Sequence, residues 1–248
     1  MKSNFLSTCL SFPFKDPHWL MKLTIGALLV LASLVIPLIP LFFVAGYGLR
    51  IIQRIILGDG QAKLPEWDDW EWLFKHGFKL SEAGLIYALP GLILLVIGFV
   101  MVLYPLYGVG LASLASATRQ SIPPAGMSIL TKGAFIIGVA TLLTIIGAFL
   151  SAPAAMHMAA NISVKAVFRI GEWWGILVRA PWKFVSAYGL VLAASTLLTI
   201  IFTVLFVTLA FCIPATIIIS VAVSYLSVTT SALFASAYRA GMETSITQ

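Results

Sequence analysis

FVSAYGLVLAASTLLTIIFTVLFVTLAFCIPATIIISVAVSYLSVTTSALFASAY, residues 184–238, runs for 55 positions without a charged side chain. A helix needs about 20 apolar residues to cross the hydrocarbon of a bilayer, so this stretch must hold two crossings. Pro214 stands near its middle, where a missing backbone N–H breaks or kinks a helix.

The rest of the chain repeats this pattern. Uncharged stretches also cover residues 23–49, 83–118 and 133–164, with Pro37 and Pro40, Pro105 and Pro153 near their middles. All charges fall in five islands: Lys2 to Lys22, Arg50 to Glu82, Arg119 to Lys132, Lys165 to Lys183, and Arg239 to Glu243. The chain is 60% hydrophobic and only 10% charged, against about 25% charged in soluble domains. Alternating strand patterns are absent, which argues against an outer-membrane barrel. The expectation is an all-α, polytopic transmembrane bundle of roughly six to eight helices, forming a single integral membrane domain over 1–248.

Each proline is either a kink in one helix or the apex of a hairpin. Charge favours hairpins: all five islands, and all 15 Lys and Arg, would then lie on the cytoplasmic side with both termini. Residues 17–36 and 38–57 would form the first pair, and some pairs would be half-depth and re-entrant, buried in protein. The net charge of +6 fits this reading better than nucleic-acid binding, because no basic patch with interleaved aromatics occurs. Cys9 and Cys212 form no CxxC or Cys/His cluster, so no metal site is expected. Hairpin topology puts them on opposite faces, which disfavours a disulfide.

Residues 63–80, KLPEWDDWEWLFKHGFKL, hold three of the seven tryptophans and four of the nine acids. On a helix over 65–82, Trp67, Trp70, Leu73, Phe74 and Phe78 share one face, with Asp68, Asp69, Glu71, Lys75 and Lys79 opposite. Only Trp72 breaks the pattern. Pro65 would be the first helical residue, and Glu71 would pair with Lys75. The segment reads as an amphipathic helix lying at the membrane surface, tryptophans at headgroup level and carboxylates in water. A carboxylate cluster that binds a cation or a basic partner is the sharper alternative.

Part of this segment recurs at an offset of 104. Asp68, Trp70, Leu73, Lys75, Phe78 and Lys79 match Glu172, Trp174, Leu177, Arg179, Trp182 and Lys183. The expectation is an internal duplication in parallel halves, about 12–125 and 126–240. Trp67, Asp68, Asp69, Trp70, Trp72, Trp173, Trp174 and Trp182 are the expected anchors for the interface or a partner. Arg50 and Arg54, one turn apart, are candidates for an anionic lipid headgroup.

FPFKDPHWLMKLTIG (12–26), GYGLR (46–50) and LPEWDDWEWLFKHGFK (64–79) together resemble the prokaryotic membrane family known as domain of unknown function 4013. The resemblance implies a bacterial or archaeal multi-pass membrane protein. It brings no activity, cofactor or catalytic residue.

His157 is the one ionisable residue inside an apolar stretch, with Asn161 one turn on. The pair is a candidate for cofactor or polar-substrate binding, and equally for hydrogen bonding between helices. The small-residue runs GVGLASLASA (108–117) and APAAMHMAA (152–160) permit close helix contacts. No Walker loop, HExxH, Gly-x-Ser-x-Gly or dinucleotide fingerprint occurs. No catalytic residue and no cofactor are therefore expected. The leading expectation is an accessory, assembly or scaffolding subunit in the prokaryotic cytoplasmic membrane, partnered by lipid and other membrane subunits. A small transporter or channel is the alternative, followed by a lipid-directed enzyme using Glu66, Asp68, Asp69 and His76.

Overall fold

Uncharged chain in hydrocarbon must satisfy its own backbone, and helices do so within one segment. A computed structural model of the chain describes residues 5–58, 63–116, 121–207 and 212–246. Among them are eight α-helices: α1 (Phe5–Leu10), α2 (Trp19–Ala32), α3 (Ile39–Leu57), α4 (Trp70–Ser116), α5 (Pro124–Asn161), α6 (Ile170–Arg179), α7 (Pro181–Val207) and α8 (Cys212–Ile246). Five helical segments are long and apolar enough to cross a membrane, and α2, with 14 residues, is not among them. The chain divides into two compact units. Unit 1 is Met1–Ala83 with Pro153–Gln248, and unit 2 is Gly84–Ala152.

In unit 1, α1, α2, α3, α6 and α7 all pack on α8. The contact face of α8 is mostly alanine with a few large side chains: Ala232, Leu233, Ala235, Ala237 and Tyr238 are buried. Glycines let the neighbours come close: Gly26 lies against Ser224, Gly48 against Ser231, and Gly241 against the Ile176 backbone. The hydroxyl of Ser224 donates to the Leu23 carbonyl at 3.0 Å, and Tyr225 to the Leu10 carbonyl at 2.9 Å. Cys9 is a free, buried thiol beside the Ala232 carbonyl and Ser236. The side chain of Cys212 lies outside the described residues.

Unit 2 is an antiparallel helix pair zipped by glycine. Gly147 meets the Tyr87 backbone, Gly91 meets Thr144, and Gly98 meets Ile137 and Gly133. Its large apolar side chains, such as Ile93, Val96 and Phe99, point outward, as lipid-facing residues do. Gly108 and Gly110, in the first small-residue run, have open space around them.

One of the four expected hairpin turns forms wholly within the described residues. α2 and α3 turn at Pro37–Pro40. α8 starts two residues before Pro214, and residues 208–211 ahead of it lie outside the described residues. At Pro105 and Pro153 the helices run on unbroken. A proline inside a helix forfeits one hydrogen bond, whereas a turn at membrane depth strands several backbone groups. Two prolines within four residues, at 37 and 40, tip that balance toward a turn. Lys132 consequently sits toward the joined end of the unit 2 hairpin. Arg119 of the third island lies outside the described residues. Both copies of the repeated motif fall in unit 1, so the compact units are drawn along a different line from the two sequence halves.

Candidate functional site

The densest polar cluster in unit 1 is built from the segments whose motifs stand out in the sequence. Asp16 follows a 3-10 turn at Pro13–Lys15, and Lys22 lies one turn inside α2. Both side chains are buried, 3% and 2% exposed. An ammonium has three donors, and Lys22 uses them on Asp16 Oδ2 at 3.0 Å, the Leu64 carbonyl at 2.9 Å and Glu66 Oε1 at 2.6 Å. The second oxygen of Asp16 accepts the His18 N–H at 2.7 Å. Burial pushes the Asp16 carboxyl up, but Lys22 and the backbone N–H groups of His18 and Leu64 outweigh it and hold it below the usual carboxylate range.

The same clasp takes up the next residues of the segment. Tyr47 of α3 donates its hydroxyl to the Pro65 carbonyl at 2.9 Å, and its ring stacks on Trp67 at 4.0 Å and 2°. The indole N–H of Trp67 donates to the Lys22 carbonyl at 3.0 Å. Arg50 donates to the Glu66 carbonyl at 3.3 Å, pairs with Asp68, reaches Asp69 at 3.6 Å, and lies 4.7 Å over the Trp72 ring. Its guanidinium holds the exposed Asp68 carboxyl below the usual range.

These bonds revise the helix expected over 65–82. The carbonyls of Leu64, Pro65 and Glu66 are taken in turn by Lys22, Tyr47 and Arg50, which holds the backbone extended. α4 begins only at Trp70, where Asp69 accepts the Trp72 N–H at 3.0 Å as a helix cap. Pro65 is therefore buried in the clasp and is not a helix start. Three of the four carboxylates are tied to Lys22 or Arg50. Glu71 alone behaves as expected, pairing with Lys75 at 2.5 Å in the open. Trp72, the residue that broke the helical pattern, stacks on His76 at 4.1 Å beneath Arg50.

A second cluster joins α5, α6 and α8. His157 is buried, with Nδ1 2.7 Å from the Tyr238 hydroxyl and Nε2 3.0 Å from Glu172 Oε2. One neutral tautomer serves both: Nε2–H donates to Glu172, and Tyr238 O–H donates to Nδ1. Asn161 donates to the His157 carbonyl at 2.9 Å. The acids matched across the sequence repeat, Asp68 and Glu172, thus each reach a base on the preceding long helix: Arg50 on α3 and His157 on α5. Replacing His157 by alanine leaves the Tyr238 hydroxyl buried and unpaired. The expected loss is about 1–3 kcal/mol of stability, read as an earlier unfolding midpoint in detergent, with Glu172→Gln costing less because it keeps a hydrogen-bonding group.

The sequence-picked residues therefore separate into two sets. Trp67, Asp68, Asp69, Trp72 and Arg50 meet in the first clasp, and Arg50 is engaged by carboxylates where an open anion site was expected. Arg54 is half-buried and in no ion pair among the described residues. Trp173 is buried and donates to the Val167 carbonyl at 3.1 Å. Trp70, Trp174 and Trp182 remain exposed, Trp182 at 81%. Sequence reasoning did not single out Asp16, Tyr47, Lys22 or Tyr238 as site residues, and noted Glu172 only as the repeat partner of Asp68. The signal lay in Asp16 and Tyr47, polar residues at the edges of apolar stretches, which need partners if the chain buries them.

The crevice beside Lys22, Tyr47 and Trp67 encloses about 10 Å³, at the lower limit for one water molecule. Among the described residues no group of three His, Cys, Asp or Glu is arranged to hold a metal ion.

A family model described as Protein of unknown function (DUF4013) matches residues 29–207. The matched range starts after Pro13–Trp19, takes in the 64–69 segment, and extends well past residue 80. No curated protein and no solved structure matches the chain.

Proposed function

The chain belongs to the DUF4013 family, and on that premise we propose that this multi-pass membrane protein is an accessory, assembly or scaffolding subunit of a larger membrane complex. The observation that carries the reading is the division of labour in unit 1. Its buried ionisable groups are consumed by one another, in the Lys22 and His157 clusters. Its exposed groups include large aromatics, Trp70, Trp174 and Trp182, the residue type enriched where proteins bind one another. Unit 1 also gathers four of the five charged islands, since Arg239 donates to the Ile55 carbonyl at 3.2 Å and Tyr238 meets His157. Lysine and arginine accumulate on the cytoplasmic side, so we place that end of unit 1 in the cytoplasm of a prokaryotic cell.

The test is purification of the native protein in mild detergent, with native-mass analysis of whatever co-migrates. The expected result is a stoichiometric partner that is lost from the Trp174→Ala, Trp182→Ala double variant while that variant stays monodisperse. A chain that runs alone, or a partner indifferent to both tryptophans, overturns the reading. In that event the runner-up, a small transporter or channel, gains from the polar cluster one turn after Pro153. Flux through reconstituted vesicles, with His157→Ala as the comparison, then becomes the measurement.

A further inference from the structure

We infer that the α2–α3 hairpin enters only one leaflet of the bilayer and turns back near the midplane, as a wedge whose partner is lipid. The inference does not rest on the subunit reading. Three observations carry it.

The first is length. Lys22 and Arg50 belong to the charged clasp and mark the polar base of the hairpin. Ala32 lies ten residues beyond Lys22, and Ile39 eleven before Arg50. Each arm therefore rises about 15 Å, half of a hydrocarbon core about 30 Å thick. α3 has the length of a span, but Arg50, which opens its last eight residues, is held in the clasp.

The second is register against α8. Gly48 lies on Ser231, and Arg239 reaches the Ile55 carbonyl, so α3 runs alongside α8 in the same direction. That spacing sets Ile39 level with about residue 222. α8 starts at Cys212, so it continues about 15 Å past the first turn of α3. On the other arm Gly26 lies on Ser224, which sets Ala32 level with about residue 218 and leaves about 9 Å of α8 beyond it.

The third is the tip. Leu34, Val35, Ile36 and Leu38 are exposed, Val35 at 84%. Most of the turn bonds internally: Ser33 N–H donates to the Leu29 carbonyl, Leu34 to Leu31, Val35 and Ile36 to Ala32, and Ile39 to Pro37, leaving the Leu38 N–H outside this set. Pro37 has no donor to lose. A turn with all but one of its donors bonded strands far less backbone in hydrocarbon than an open loop does. Bare aliphatic side chains at the apex and paired charges at the base match the polarity profile of one leaflet. Lys15 and Lys63, exposed and in no ion pair among the described residues, stand at the base where anionic headgroups lie.

The test uses the full chain with Cys9→Ser and Cys212→Ser, carrying Val35→Cys, in phosphatidylcholine–phosphatidylglycerol vesicles. A spin label at that position is expected to be relaxed by oxygen and shielded from a water-soluble nickel chelate, at about 15 Å below the edge of the hydrocarbon. A membrane-impermeant maleimide is expected to react from neither face, while Lys63→Cys reacts from one. Reaction of Val35→Cys from the face opposite Lys63→Cys would show a full crossing. Reaction from the same face would show a hairpin outside the bilayer. Either overturns the inference. Should Val35→Cys fail to fold, Leu34→Cys carries the same readout one position earlier.

Discussion

Gly77→Ala is expected to yield no monodisperse protein in detergent. Gly77 of α4 and Gly46 of α3 face one another where these helices cross. A Cβ on Gly77 would overlap the Phe42 carbonyl oxygen and stand 2.6 Å from the Gly46 nitrogen, and one on Gly46 would overlap the Leu73 carbonyl. The obstacles are helix backbone, not side-chain ends that could swing away. Overpacking a core costs about 1–3 kcal/mol where side chains can yield; here two helices must separate, and the loss is set at or above about 3 kcal/mol. Gly175 of α6 is the control, because nothing lies within 4 Å of its added Cβ. Gly175→Ala is expected to gain up to about 1 kcal/mol from helix propensity. Size-exclusion profiles and thermal unfolding of the two variants decide it.

The second large effect belongs to Lys22. Lys22→Met leaves Asp16 buried without its cation, and breaking one side of a buried pair costs about 3–5 kcal/mol. It also frees the Leu64 carbonyl and Glu66, so the segment over 63–69 loses a tether on α2. The pH dependence follows from Asp16. Its folded-state pKa is depressed, so its contribution is present above the unfolded value of about 3.9 and is lost as pH falls through the folded value. Wild-type protein should shed this stability only below about pH 4, and Asp16→Asn should flatten that part of the profile. Unfolding midpoints taken from pH 7 down to pH 3 read both effects.

Much of the fold was legible in the charge pattern. Gaps of 27 to 55 residues between the islands demanded helices, and the paired prolines at 37 and 40 marked a true turn. Single prolines did not discriminate, since Pro105 and Pro153 sit in helices whose neighbours leave no better option than to continue. The aromatic–acidic segment showed its composition but hid its conformation. Helical periodicity over 65–82 was present in the side chains, yet the conformation of 64–66 is decided by carbonyl acceptors, which a sequence does not distinguish. The donors that claim them come from Lys22, Tyr47 and Arg50, 16 to 42 residues away in the chain. His157 drew notice as an ionisable group among apolar residues. Its partners Glu172 and Tyr238 lie 15 and 81 positions further on, beyond the reach of any local pattern.

The buried Lys22–Asp16 pair is the clearest case of motif residues that hold the fold together. A double-mutant cycle on Lys22 and Asp16, read as unfolding free energy in one detergent, tests it most directly. Lys22→Met and Asp16→Asn are each expected to destabilise the protein, with the double variant losing clearly less than the sum. Additive losses, or singles as stable as wild type, would show that this pair does not hold the fold.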